Sequence, residues 1–248
     1  MRLIGRIDIK NEFVIKGIHL EGLRKLGNPN DFAVKYFTEG IDEIVFHDSV
    51  ASLYERNNIF NVIEKACEEI FIPIIVSGGI RSLDDIEIAL KSGADKVAIN
   101  TQAVKTPEFI SKAARTFGSQ CIVGAIDCKK NNKSWKVLTE NGRESTELNA
   151  YDWALQLQEL GIGELMLTSV DMEGTKKGFD IEIIDQISRA LKVPVIASGG
   201  AGNIKHIVNL AKKSQVSAIA LACLLHYNLE TINSIKEELN YNGIDIRI

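Results

Sequence analysis

Short runs of apolar and β-branched residues recur along the chain, at Arg2–Ile9, Glu43–His47, Pro73–Ser77, Lys96–Ile99, Cys121–Ile126, Glu164–Thr168, Pro194–Ala197 and Ser217–Leu221. Between most of them the apolar positions change period to i, i+3, i+4, as in Phe60, Ile63, Ala66, Cys67 and Ile70, or in Ile181, Ile184, Ile187 and Leu191. The first pattern fits strands buried on both faces, and the second fits helices with one apolar side. Strands alternating with helices predict a parallel sheet, either a closed barrel or an open doubly wound sheet.

An internal repeat separates these two. At a shift of about 120 residues the halves of the chain echo each other. Arg6-Ile7-Asp8-Ile9-Lys10 matches Ala125-Ile126-Asp127-Cys128-Lys129, Ser77-Gly78-Gly79-Ile80 matches Ser198-Gly199-Gly200-Ala201, and Asp42-Glu43-Ile44-Val45 matches Gly163-Glu164-Leu165-Met166. Chance similarity between apolar strands would align hydrophobic positions, but it would not bring aspartates and glycine pairs into register. The expected fold is α/β, a single (β/α)8 TIM barrel over residues 1–248, built from half-barrels of about 1–118 and 119–248.

Composition mainly excludes. The 248 residues are 45% hydrophobic and 25% charged, enough to bury a sizeable core, with a net charge of -4. The lysines are dispersed and the pI is about 5.7, so nucleic acid is not an expected partner. No apolar run approaches the length of a membrane span and the N-terminus lacks a signal pattern, so a cytoplasmic protein is expected. Cys67, Cys121, Cys128 and Cys223 form no CxxC pair and no zinc-ligand spacing, so neither metal nor disulfide is expected, and no cofactor is implied.

In a barrel of this kind the site forms where strands end and βα loops begin. Asp8 and Asp127 end the first and fifth predicted strands, on opposite sides of the mouth. Two facing carboxylates suit general acid and base work on a substrate held between them; the plainer role for either is to cap a neighbouring loop. Glycine-rich turns follow the third and seventh strands, at Ser77-Gly78-Gly79 and Ser198-Gly199-Gly200-Ala201-Gly202. Glycine lets backbone N–H groups approach a phosphate, and two symmetric loops imply a ligand with a phosphate at each end. Asn100-Thr101 and Gly174-Thr175 add donors beside these loops.

Lys16 lies in a long segment after the first strand, read as a loop serving as lid or binding element, or else as a solvated lysine. Arg2, Glu43, Lys96 and Glu164 stand at strand beginnings. Pointing inward, they would form a ring able to gate a passage; the plainer reading is exposed ion pairing of small value. The histidines His19, His47, His206 and His226 have no nucleophile context and are assigned no chemistry. The polar stretch 129–149 predicts a hairpin around Asn141-Gly142 that covers the mouth.

Several stretches resemble one family closely: Leu23-Arg24-Lys25-Leu26-Gly27-Asn28-Pro29, Gly93-Ala94-Asp95-Lys96-Val97-Ala98-Ile99-Asn100-Thr101, Phe117-Gly118-Ser119-Gln120, Leu167-Thr168-Ser169-Val170-Asp171 and Ile196-Ala197-Ser198-Gly199-Gly200-Ala201-Gly202. Over essentially its whole length the chain resembles HisF, the cyclase subunits of imidazole glycerol phosphate synthase. The resemblance implies a heterodimer with a HisH-type glutaminase, whose ammonia crosses the barrel and attacks a bisphosphorylated aminoimidazole carboxamide ribonucleotide, giving imidazole glycerol phosphate and AICAR. It implies Asp8 and Asp127 as the acid/base pair and Lys16 as a mobile-loop lysine. One phosphate site would be Gly79, Asn100 and Thr101, and the other Gly174, Gly199, Gly200 and Ala222. Asp48, Thr168 and Ser198 fall at substrate positions. Arg2, Glu43, Lys96 and Glu164 match the gate, which turns the reading of that ring towards function, and Asp95 falls at the glutaminase interface.

The chain also departs from the family pattern. Arg6 replaces a cysteine beside Asp8, Ser77 replaces the first of three glycines, Glu12 replaces a glycine, Glu147 stands where a Thr-Gly pair ends the strand-five excursion, Glu173 replaces an aspartate and Cys223 a serine. An arginine close to Asp8 would lower its pKa. Such changes look like those of HisF-like paralogues that pass ammonia to a sugar amidotransferase for surface polysaccharides, with little or no cyclase activity. A HisA-type isomerase, which also uses two opposed aspartates, is disfavoured by the Arg2, Glu43, Lys96, Glu164 set and by Gly118-Ser119-Gln120.

Overall fold

The computed structural model describes residues 1–51 and 59–247. Its strands, in chain order, are β1 Arg2–Lys10, β2 Phe13–Ile18, β3 Glu21–Gly27, β4 Glu43–Asp48, β5 Ile74–Ser77, β6 Lys96–Ile99, β7 Ile122–Asn131, β8 Ser134–Thr139, β9 Glu144–Asn149, β10 Glu164–Ser169, β11 Val195–Ser198 and β12 Ala218–Leu221. Eight of these, β1, β4, β5, β6, β7, β10, β11 and β12, pair in parallel, and β10 pairs with β7 to close the cylinder. These are the eight apolar runs, moved at their ends by a residue or two, except that β7 runs five residues further. The expected TIM barrel is the fold found.

Helices cover the outside of the barrel, and short polar side chains punctuate them. Asn28, Ser82, Asn149, Asn203 and Thr231 each accept hydrogen bonds from the first turn of the helix that follows. Leu3, Ile7 and Ile9 of β1 face the outer core with Ile44 and Phe46 of β4 and the buried helix residues.

The alternate positions face the lumen, because successive side chains of a strand point to opposite faces. Along the axis they change from charged through apolar to polar. At the bottom stand Arg2, Glu43, Lys96 and Glu164; Ile4, Val45, Ile75, Ala98, Val123, Ala125, Met166, Ile196, Ala218 and Ala220 pack as one buried cluster above them. Polar residues form the top layer.

Two segments differ from the sequence reading. The stretch holding Lys16 is no loop: β2 and β3 form an antiparallel hairpin that continues from β1. The 129–149 stretch holds two hairpins, β7 with β8 and β8 with β9, and the second turns at residues 140–143, around the predicted Asn141-Gly142.

Outside the mouth, His226 is buried against Tyr36, whose hydroxyl lies 2.5 Å from Nδ1, with the rings nearly parallel. Burial first, and Lys16 next, push the His226 pKa down to about 3. A depressed pKa means that its stabilising contribution is fully present above about 6.5 and is lost as pH falls from there towards 3. At pH 5.5 this one group should cost roughly 1 kcal/mol of unfolding free energy. Urea titrations at pH 7.5 and 5.5 check this: His226→Gln should lose less than the parent between the two, and an equal loss would contradict the assignment.

Candidate active site

Strand alternation and register assemble the mouth. Asp8 pairs in register with His47, Asp127 with Thr168, and Thr168 with Ser198. The structure thus gathers Asp8, Asp127, Asn100, Thr168 and Ser198 at one end of the barrel. The two halves of that end differ in their packing.

On the side of the first glycine loop lies a cavity of about 110 Å³, lined by Asp48, Gly78, Gly79, Asn100, Thr101 and Asp127, all of them residues expected at the mouth. His47, Arg81, Lys105 and Glu140, for which the sequence pattern indicates no role, line it too, with Asn141 of the predicted hairpin turn. His47 spans the gap: Nδ1 is 2.9 Å from Ser77 Oγ and Nε2 is 3.0 Å from Asn141 Oδ1. Lys105 pairs with Glu140 at 2.8 Å, which ties the β8–β9 turn over the cavity. That turn is the excursion expected to cover the mouth. A legible signal for His47 was its place, one residue before Asp48 at a strand end. Asp48 itself accepts hydrogen bonds from the backbone N–H of Val50 and Ala51, at 3.0 and 2.9 Å, and so shapes the loop after β4.

Asp127 accepts one hydrogen bond from Asn100 Nδ2 at 3.1 Å, while the same amide donates to the Leu138 carbonyl. Burial raises its pKa; Arg6 and His47 oppose this only partly, and the negative charge of Asp8 adds to the rise. A carboxyl with a raised pKa facing a cavity suits proton exchange with a ligand.

On the other side, charges fill the mouth. Arg6 Nε donates to Asp8 Oδ1 at 2.8 Å, and its Nη1 donates to Thr168 Oγ1 and Ser198 Oγ, both at 3.0 Å. Lys16 donates to Asp8 Oδ2 at 2.8 Å and also to Glu173. All four charged residues are buried. Burial alone would raise the Asp8 carboxyl, but Arg6 and then Lys16 outweigh it and hold Asp8 well below the usual carboxylate range. Lys16 is held well above the usual amine range, because Asp8 and Glu173 outweigh burial and the repulsion of Arg6. Lys16 is therefore neither a solvated lysine nor part of a loop.

The second glycine loop closes over this network. Glu173, Gly174, Ser198, Gly199, Gly200, Ala222 and Cys223 line a space of about 10 Å³, and Gly174 and Cys223 also border, with Lys16, Lys176 and Tyr227, an open surface cavity of about 610 Å³. The residues expected to hold a second phosphate are thus together, with the Glu173 carboxylate beneath them and paired to Lys16.

At the opposite end the four charges expected as a gate do point inward. Glu43 accepts from Arg2 at 2.5 Å and from Lys96 at 2.8 Å; Glu164 accepts from Lys96 at 2.8 Å and from Arg2. The ring alternates in sign and closes the bottom of the apolar lumen. Carboxylates on both sides raise the Lys96 pKa against the opposing effect of burial, so it stays an ammonium. Asp95, exposed at the same end, accepts a hydrogen bond from the Ile74 backbone N–H at 2.8 Å.

The family described as "Histidine biosynthesis protein" matches residues 2–231. A protein of Legionella pneumophila called imidazole glycerol phosphate synthase subunit HisF is 53% identical over 206 residues, 83% of this chain and 97% of the relative. Proteins of the same name from Dehalococcoides mccartyi (strain BAV1) and Hydrogenobaculum sp. are 42% and 44% identical, each over 100% of this chain and 98% of its own length. This chain belongs to the HisF family.

As a HisF chain it shows what its departures from the family pattern do in space. Arg6 reaches across the lumen beneath Asp8 and engages the hydroxyls of Thr168 and Ser198, and Glu173 seats Lys16. Among the described residues no cluster of His, Cys, Asp and Glu could hold a metal ion, and no helix is long and apolar enough to cross a membrane.

Proposed function

We propose that the chain is the cyclase subunit of a glutamine amidotransferase pair. It uses ammonia from a HisH-type glutaminase to convert a bisphosphorylated aminoimidazole carboxamide ribonucleotide to imidazole glycerol phosphate and AICAR. Besides family membership, the observation that carries this reading is Asp127 on the wall of a cavity that also presents Gly79, Asn100 and Thr101. A phosphate held by that loop would bring the reacting part of the ligand against an ionisable carboxyl. Gly174, Gly199, Gly200 and Ala222 would take the second phosphate, with Lys16 exchanging Glu173 for it. Asp8 completes the carboxylate pair, and Asp48, Thr168 and Ser198 border the ligand.

The lumen supports an ammonia route. Its middle layer is apolar, from Ile4 to Ala220, and an apolar passage favours neutral ammonia over ammonium, whose charge is costly to desolvate. The Arg2, Glu43, Lys96, Glu164 ring closes the entry, and the glutaminase would dock on that face, beside Asp95.

Two ammonia sources test this reading. With ammonium salt and the bisphosphate substrate, Lys96→Met should turn over much as the parent does, since the ring lies far from the mouth. With glutamine and the glutaminase, the variant should form less product per glutamine hydrolysed. Equal coupling in both proteins would contradict a gate at this ring, and absence of turnover in the parent would contradict the cyclase reading itself.

A further inference from the structure

We infer that Arg6 is a positioning residue that divides the work of the two aspartates: it fixes Asp8 as a standing anion and leaves proton exchange with the substrate to Asp127. The inference rests on the cyclase reading for its consequence, but the geometry beneath it stands on its own. Both oxygens of Asp8 are taken by cations, Oδ1 by Arg6 Nε and Oδ2 by Lys16 Nζ, each at 2.8 Å. Asp8 lines a small space of about 10 Å³, together with Ile15, Lys16 and Leu20 of the β2–β3 hairpin. Asp127 is engaged by a neutral amide through Oδ2 and opens onto the cavity of about 110 Å³. A two-fold repeat in sequence has thus become two unlike sites, and Arg6 differs within the repeated motif itself, since its counterpart there is Ala125.

Arg6 is itself held in place. With Nε on Asp8 and Nη1 on Thr168 and Ser198, the guanidinium links β1 to β10 and β11, and its stem crosses the lumen above the apolar layer. The titratable and charged groups facing Asp8 are Arg6, Lys16, His47, Asp127, Cys223 and His226; those facing Asp127 are Arg6, His47 and Asp8, with Asn100 as its hydrogen-bond donor. The first set holds a carboxylate ionised at any working pH, whereas the second leaves burial dominant. A group that never binds a proton in the working range cannot serve as a general acid there. Asp8 can orient and attract a positive centre but is too weakly basic to be an effective proton acceptor, so proton exchange passes through Asp127.

The test reads the two carboxyl groups directly. Protein labelled with carbon-13 at the aspartate side-chain carboxyls is titrated by NMR between pH 8 and pH 4, the resonances being assigned with Asp8→Asn and Asp127→Asn. The expected result is a flat Asp8 signal and an Asp127 signal that moves through the range. In Arg6→Gln, which keeps a polar side chain of similar reach, the Asp8 midpoint should shift upward. A pH profile of ammonium-driven turnover should gain a second limb on the acid side. An Asp8 signal that moves in the parent protein, or one unmoved by Arg6→Gln in a variant that still melts cooperatively, would overturn the assignment. Because the titration needs no substrate, failure of the cyclase reading would show separately, as missing turnover with the carboxyl pattern intact. If Arg6→Gln does not fold, Arg6→Lys gives the same readout, as it keeps the charge but not the Nε contact and should raise the Asp8 midpoint by less.

Discussion

Replacing Asp127 with asparagine is expected to lower ammonium-driven turnover by about a thousandfold, with KM and fold little changed. The change is nearly isosteric, and the one hydrogen bond that the Asp127 side chain accepts, from Asn100, can be accepted by the oxygen of an asparagine amide. The variant therefore removes an ionisable group and little else. The same change at Asp8 differs in kind. It would take from Arg6 and Lys16, both buried, the carboxylate that pairs with both, and breaking a buried charge network costs about 3–5 kcal/mol. Asp8→Asn should thus lose stability together with activity, whereas Asp127→Asn should lose activity alone. Steady-state kinetics set beside thermal melts of both variants separate the two. An Asp127→Asn enzyme within tenfold of the parent would remove Asp127 from the chemistry.

The second large effect is structural. Gly200 has φ +108°, and a Cβ placed there would lie 1.9 Å from the Gly178 carbonyl oxygen and 3.1 Å from Met172 Cβ. The obstacle is backbone, so the second glycine loop would have to part from the segment that precedes it. Strain at a disfavoured φ and forced displacement together should cost roughly 3–5 kcal/mol in Gly200→Ala. That corresponds to a fall in Tm on the order of 10 °C for a chain of this size. Gly40 provides the control: its φ is +87°, but nothing lies within 4 Å of its Cβ position, so Gly40→Ala should show the conformational cost alone, about 1 kcal/mol. Similar melting shifts in the two variants would mean that the loop yields and that the close approach at Gly200 carries no cost.

Much of this was legible because a parallel barrel imposes period-two geometry on apolar runs. Once Arg2–Ile9 was read as a strand, Arg2, Ile4, Arg6 and Asp8 had to share one face. The repeat placed Asp127 and the two glycine loops in the same frame. The hairpin holding Lys16 escaped, because Glu12, Gly17 and Gly22 interrupt the alternation that marks a strand, and its pairing to β1 is a tertiary fact. Lys16 is buried for a reason that lies 157 residues away, in Glu173. The inward turn of the bottom ring could not be weighed against surface pairing on spacing alone, since whether a strand-end charge points into the lumen depends on register. His47 was passed over because its partners, Ser77 and Asn141, come from separate elements. Unlike packing of the two half-sites was also beyond reach: the sequence shows Arg6 beside Asp8, but not that a guanidinium spans to β10 and β11.

Whether the barrel cyclises the ligand is decided by a single reaction. Purified protein is mixed with the bisphosphorylated aminoimidazole carboxamide ribonucleotide and excess ammonium salt near pH 8, and the products are separated by chromatography. A cyclase gives equimolar imidazole glycerol phosphate and AICAR, in amounts that grow with time and protein. Unchanged substrate in the presence of folded protein would contradict the cyclase reading, and would leave a barrel that conducts ammonia without performing the cyclisation.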